Sequence, residues 1–124
     1  APDTAEFFVA RNMSFSLTTD QMRERSKTVT RRLKWLHLKP GDEINACVKC
    51  MGLKPGENVE KICTIVVTDV RREPLNAIID EPDGTRLEGF PDDSPQDFID
   101  RFCSAMKGTK PTDIVTRIEF EFME

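Results

Sequence analysis

Apolar residues in this chain mostly alternate with polar ones over short stretches, and helical spacing is confined to a few turns. Met13, Phe15 and Leu17 stand at every second position and predict a short half-buried strand over residues 13–17. Thr18 and Thr19 then offer capping hydroxyls to a short helix through Asp20, Met22 and Glu24, ending before the polar Arg25-Ser26. Thr28 to Leu33 is β-branched and predicted extended, and Lys39-Pro40-Gly41-Asp42 reads as a turn. From Glu43 to Lys49 the alternation returns, with Ile44, Ala46 and Val48 on one face and Asn45, Cys47 and Lys49 on the other. Gly52 to Asn58, containing Pro55-Gly56, predicts a hairpin loop. Lys61 to Arg71 is the longest β-branched run and predicts a central strand. Pro74 to Ile79 has the length of a single helical turn and leads into an acidic loop through Pro82-Asp83-Gly84.

One helix is well signed. Ser94 can cap it, Pro95 suits the first helical position, and Asp97 lies in the first turn, where the positive end of the helix dipole favours a carboxylate. Phe98, Phe102 and Met106 then share a face, and Gly108 is placed to close the C-terminus. Asp113 to Met123 predicts the clearest strand, with Ile114, Thr116, Ile118, Phe120 and Phe122 inward and Arg117, Glu119 and Glu121 outward. Short strands joined by hairpins, with too few helices for repeated βαβ units, predict an α+β domain: a small barrel of mixed or antiparallel strands with two or three short flanking helices.

Length and composition narrow the class. The chain has 124 residues, enough for one core, and its 38% hydrophobic content with eight Phe excludes intrinsic disorder. No apolar run approaches the ~20 residues of a membrane span, and the first thirty residues lack a secretory signal pattern, so a cytoplasmic protein with no membrane partner is expected. Residues 1–12 read as an N-terminal extension, in part a processing or expression feature, ahead of a single domain over 13–124.

The net charge of −4 conceals an asymmetry. Between Arg23 and Lys39, seven cations stand against Glu24 alone, whereas between Asp80 and Asp100 eight carboxylates stand against Arg86 alone. A local anion site on an otherwise acidic protein suits a nucleotide or a short single strand better than broad duplex binding. Two solvated faces that complement each other are the other outcome open to such charge runs.

Several blocks of residues occur in a recognisable order. Lys27-Thr28-Val29-Thr30-Arg31-Arg32 is followed by Leu38-Lys39-Pro40-Gly41-Asp42, Ile65 to Val70, Glu88-Gly89-Phe90 ahead of Asp97-Phe98-Ile99, and a final Ile118-Glu119-Phe120. This order resembles the ASCH-domain family of the PUA-like superfamily, over essentially the whole chain from Met13. The spacing is similar to that of an uncharacterised phage and bacterial group, which implies the cytoplasm of a bacterium or of a phage-infected host. The family signature is Gly-x-Lys-x-x-x-x-Arg; Lys27 and Arg32 fit its spacing, while Arg25 stands where Gly is expected. The resemblance implies a small β-barrel and a cleft that binds RNA, a nucleotide or a modified nucleoside, with no cofactor. In a small bacterial branch that hydrolyses N(4)-acetylcytidine, the matching Lys, Thr and Glu are the proposed catalytic set, with Lys as base, Thr as nucleophile and Glu as proton donor. Carried over by motif these are Lys27, Thr30 and Glu88. Two function classes thus stand open, a binding module and an amidohydrolase.

The residue types bear on both. Hydrolysis of an amide needs a nucleophile, a group to take and return its proton, and a charge near the developing oxyanion. A buried Lys beside other cations has its neutral form favoured, and Arg31 and Arg32 supply that neighbourhood. Phe90 and Pro91 are expected to shield the Glu88 carboxyl from water. In an extended segment Lys27 and Thr30, three apart, point to opposite faces, so they cooperate only if the chain bends between them. Arg25, Arg31, Arg32 and Trp35 are the candidate ligand-binding residues. Trp35 can stack on a base or, flanked by Leu33, Leu36 and Leu38, anchor a core. Cys47 and Cys50 have the spacing of half a zinc site, with Cys63, Cys103 or His37 to complete it, but on one strand they point to opposite faces. Buried free thiols and no metal are therefore expected, and His37 has no companion that suggests catalysis.

Overall fold

The computed structural model describes residues 11–50 and 52–123. Of the N-terminal extension expected over residues 1–12, all but Arg11 and Asn12 lies outside the described residues, and these two already belong to the first strand. In chain order the elements are β1 (Arg11–Ser14), α1 (Thr19–Glu24), β2 (Val29–Arg32), β3 (Glu43–Cys47), β4 (Lys61–Pro74), a 3-10 helix (Leu75–Asp80), α2 (Gly84–Leu87), α3 (Pro95–Ala105) and β5 (Ile114–Phe122). The strands form one sheet in the order β1-β3-β4-β5-β2, parallel between β1 and β3 and antiparallel elsewhere. The long β-branched run is its middle strand, as expected, and extends three residues further, to Pro74.

The sheet is strongly curled. Four inter-strand spacings would put the edges of a flat five-stranded sheet roughly 19 Å apart. Here the Arg32 guanidinium on edge strand β2 lies 4.7 Å from the ring centre of Phe15, which directly follows edge strand β1. The result is a half-barrel with short helices beside it, an α+β fold of mixed strands. Met13, Phe15, Ile44, Ala46, Ile65, Val67, Ile118 and Phe120 fill the inside, and Phe15 meets Phe120 edge-on at 6.1 Å. On the outer face α3 and the 3-10 helix bury Leu75, Ile78, Phe98, Ile99 and Val115 against β5. Each such Ile, Leu or Phe contributes about 1.5–3 kcal/mol by leaving water.

Because both faces of β5 are covered, simple alternation misreads it. Arg117, expected outward, is 4% exposed, and the run Val115 to Ile118 is buried throughout. Ile114, expected inward, is exposed where the strand begins. Leu17 is also exposed, since β1 stops at Ser14 and the chain then leaves the sheet. Cys47 is buried because the pairing register shifts between Ala46 and Cys47, which breaks the alternation there. Thr18 makes no side-chain cap; the Thr19 hydroxyl instead donates to the Phe15 carbonyl at 2.9 Å. The acidic loop after Asp80 contains the short helix α2.

The signals on α3 fare better. Ser94 and Asp97 form a reciprocal capping box, with Asp97 N–H donating to Ser94 Oγ at 3.1 Å and Ser94 N–H to Asp97 Oδ2 at 3.0 Å. Phe98 and Ile99 are buried by this helix. It ends at Ala105 with Met106 as its cap, so Gly108 serves the following turn rather than the helix end.

Candidate functional site

The half-barrel leaves its two edges unjoined, and a cavity of about 200 Å³ lies at that seam. Ser14 to Thr18 form one lip and Lys27 with Thr30 to Arg32 the other, while α3 closes the outside with Phe98, Phe102, Ala105 and Met106. Glu88, Phe90 and Arg101 complete the lining.

Local backbone geometry brings Lys27 and Thr30 together. Helix α1 ends at Arg25 in a left-handed conformation, and Ser26 N–H returns to the Gln21 carbonyl at 3.0 Å. The chain reverses there, and Thr28 N–H fastens to the Leu87 carbonyl at 2.9 Å before β2 begins at Val29. Lys27 therefore precedes the strand, and strand alternation does not apply between it and Thr30. Within β2, Thr30 and Arg32 face the inside of the barrel and Arg31 the outside, so side chains from both faces border the cavity around the free edge.

Lys27 is 3% exposed and Glu88 2% exposed. Lys27 Nζ donates to Glu88 Oε1 at 2.6 Å and to the Glu88 carbonyl at 2.8 Å. Burial pushes the Lys27 ammonium below its ordinary value of 10.5; Glu88 opposes this, and the charges of Arg32 and Arg31 reinforce it. The turn that presents Glu88 depends on Gly89, whose φ of +97° suits glycine, and a Cβ there would stand 2.9 Å from Gln21 Cγ and 3.3 Å from Lys27 Cβ. Gln21 Nε2 donates to the Gly89 carbonyl at 3.2 Å and ties α1 to this turn.

Glu88 does not stand against an apolar wall alone. Its second oxygen, Oε2, accepts from Arg31 Nη1 at 2.9 Å. Phe90 lines the cavity as expected, whereas Pro91 lines a separate pocket with Asp20, Gln21 and Glu24. Arg32 is different again. Its Nε donates to Thr30 Oγ1 at 3.1 Å and its guanidinium covers Phe15, but no carboxylate among the described residues pairs with it. Burial pushes it down to about 10, which leaves it charged at neutral pH. The site thus has a polar end of one ion pair, one hydroxyl and one unpaired cation, set against an apolar wall of four Phe, Met106 and Leu17.

The structure brings Lys27, Thr30, Arg31, Arg32 and Glu88 to one cavity, and it does not bring Arg25 or Trp35 there. Arg25 borders that second pocket and lies 5.3 Å from the ring centre of Phe122. Trp35 is packed on the inner core beneath Arg11, at 4.7 Å. The cysteines are free thiols, and burial pushes those of Cys47, Cys63 and Cys103 up. No group of three or more His, Cys, Asp or Glu able to hold a metal occurs among the described residues. Sequence reasoning missed Arg101, which lies 4.0 Å from the centre of Phe90 at the cavity and pairs with Asp93 at 2.6 Å. Its position one helical turn before Ala105 and Met106 is the available signal, which the apolar core face of α3 by itself does not include.

No family model matches the sequence, and no curated protein matches it. Solved structures do. The fold is similar to that of the hypothetical protein PH0355, with a TM-score of 0.63 and 16% identity over 92% of this chain and 97% of that one. It is similar to an ASCH domain from Lactobacillus crispatus JV V101, with a TM-score of 0.56 and 14% identity over 98% of this chain and 85% of that one. It is also similar to protein EF3133 from Enterococcus faecalis V583, described under the family model DUF984, with a TM-score of 0.60 and 14% identity over 98% and 86% of the two chains. The fold is therefore ASCH-like, which agrees with the PUA-like barrel implied by the order of motifs. Among the described residues, no helix is long and apolar enough to cross a membrane.

Proposed function

We propose that this chain is an ASCH-domain protein whose seam cavity binds one base of an RNA, a nucleotide or a modified nucleoside. The observation that carries the reading is the convergence of Lys27, Thr30, Arg32 and Glu88 at one end of a cavity whose other wall is aromatic. A flat ring fits between Phe side chains, and its polar edge then meets a charged pair and a hydroxyl. Arg32 supplies a guanidinium with no carboxylate of its own, as needed for a phosphate or carbonyl oxygen. The test is equilibrium binding of cytidine, N(4)-acetylcytidine, cytidine monophosphate and a short single-stranded RNA. Saturable binding that Arg32→Ala weakens about tenfold supports the reading. Absence of binding for all four ligands overturns it.

A second reading, hydrolysis of N(4)-acylated cytidine, is favoured by the lowered proton affinity of Lys27 and the Thr30 hydroxyl in the same cavity. Thr30 Oγ1 accepts from Arg32, so its own proton remains free to be given up. In that reaction Thr30 Oγ bonds to the amide carbonyl carbon while neutral Lys27 takes the hydroxyl proton. The C–N bond then breaks as the amine leaves with a proton, and water releases the acid from Thr30. Loss of the Thr30 hydroxyl separates the two readings, because it abolishes turnover and only mildly weakens binding. Acetate release from N(4)-acetylcytidine that Thr30→Ala removes supports hydrolysis; binding without any release leaves the binding module.

A further inference from the structure

Arg31 stands beside this cavity but spends its charge elsewhere. Its side chain is wholly buried, and its Nη1 holds Glu88 Oε2 at 2.9 Å. Its Nη2 reaches Glu81 Oε1 at 3.1 Å, with Glu73 Oε2 at 3.5 Å. The same Glu81 oxygen accepts from Arg117 Nε at 2.7 Å and Arg71 Nη2 at 2.8 Å. Glu88 is thereby shared, with one oxygen toward Lys27 inside and one toward Arg31 outside, and Arg31 is shared in turn between Glu88 and Glu81. Both Arg31 Nε and Glu81 Oε2 are buried without a partner.

We propose that Arg31 is a positioning residue: it holds Glu88 Oε2 from the outer face and so limits how strongly Oε1 draws on Lys27, and Glu81 holds Arg31 back from taking Glu88 for itself. The inference rests on the reading of this cavity as the functional site. The charged groups that face Lys27 are Glu88 after α2 and Arg31 and Arg32 on β2, with Arg101 of α3 at the cavity wall. A guanidinium that draws on Glu88 from behind weakens its hold on the Lys27 proton, and the position of Arg31 sets how strongly.

This makes a prediction with opposite signs. The titration of Lys27 is followed by NMR of its labelled side chain in the full-length protein, in Arg31→Met and in Glu81→Gln. Arg31→Met fills the volume but frees Glu88 for Lys27, and the Lys27 midpoint rises by about one pH unit. Glu81→Gln frees Arg31 to draw Glu88 outward, and the midpoint falls. A role limited to holding the fold gives no shift, or a rise in both variants as water enters the loosened cavity. Either of those results overturns the proposal. If Arg31→Met does not fold, Glu81→Gln decides alone: a fall supports the proposal, and a rise or no change overturns it. Cytidine binding by the unmodified protein is measured separately. Its absence removes the ligand assigned to the cavity, whereas an unchanged Lys27 midpoint with binding intact removes only the role of Arg31.

Discussion

Arg31 and Arg32 are adjacent, of one type and on one strand, yet they live in opposite electrostatic settings. Arg31 projects to the outer face, where Glu73, Glu81 and Glu88 surround a side chain with no exposure. Arg32 projects into the barrel, where it meets the Thr30 hydroxyl and the Phe15 ring; the charge of Glu88 reaches it, but it pairs directly with no carboxylate among the described residues. The period of two in a strand is enough to divide a basic run into one cation committed to the protein and one available to a ligand. A run of positive charge is thus a poor unit of function, and the face of the strand is a better one.

The largest effect that tests this division is on stability. Arg31→Ala strands Glu88 and Glu81 with a missing partner in a buried setting and is expected to cost about 3–5 kcal/mol in urea unfolding. Arg32→Ala is expected to cost about 1 kcal/mol, the worth of its contact with Phe15. Equal losses would break the comparison.

Next in size is Gly89→Ala, which forces a Cβ into a left-handed turn against Gln21 and Lys27. A loss of about 1–3 kcal/mol is expected in the same unfolding measurement, with weaker ligand binding because the Lys27–Glu88 pair is displaced.

On ligand affinity the expected order reverses. Lys27→Ala and Arg32→Ala each weaken binding of a short RNA and make it less sensitive to salt, read as a shallower slope of binding constant against salt concentration. Binding unaltered by both would exclude the seam as the site.

A smaller effect appears in acid. Burial by itself pushes the Glu81 carboxyl up, but hydrogen bonds and charge from Arg117 and Arg31 outweigh it and hold the group below its ordinary 4.5. A depressed carboxyl stabilises the fold fully above that ordinary value, and the contribution is lost as pH falls through the lower folded value. Glu81→Gln should therefore flatten the acid limb of the melting temperature plotted against pH. Lys27 gives the opposite limb: its folded value lies below 10.5, so the unfolded chain binds more protons between the two and stability rises with pH there. Smallest of all, Arg25→Ala should leave cytidine affinity within about twofold, since Arg25 borders another pocket.

Much of the architecture was legible in local signals. The capping box at Ser94 and Asp97, the turn at Lys39 to Asp42 and the β-branched run from Lys61 each act within a few residues, so the chain carries them wherever it folds. The order of motif blocks likewise points to Lys27, Thr30, Arg32 and Glu88, which line one cavity. The failures share a cause. Alternation assumes one wet face, and β5 has none beneath α3, so the pattern points Arg117 to water although it is buried on Glu81. Trp35 stands within a basic stretch yet close to Leu33, Leu36 and Leu38, so the sequence allows both base stacking and core packing; only the curl of the sheet turns it onto the inner cluster.

What the sequence determined by itself is therefore whatever short-range chemistry controls: the strand and helix segments, their caps and turns, the mixed small-barrel class, and the residue types available for a site. Tertiary structure decided which of those charges are free. Glu88 lies 61 residues from Lys27 and 57 from Arg31, and Arg31 lies 50 from Glu81. Those pairings exist only once the sheet has curled and α2 has docked beside β2. Coulombic attraction depends on distance and on burial, and neither is encoded in the spacing of charges along a chain.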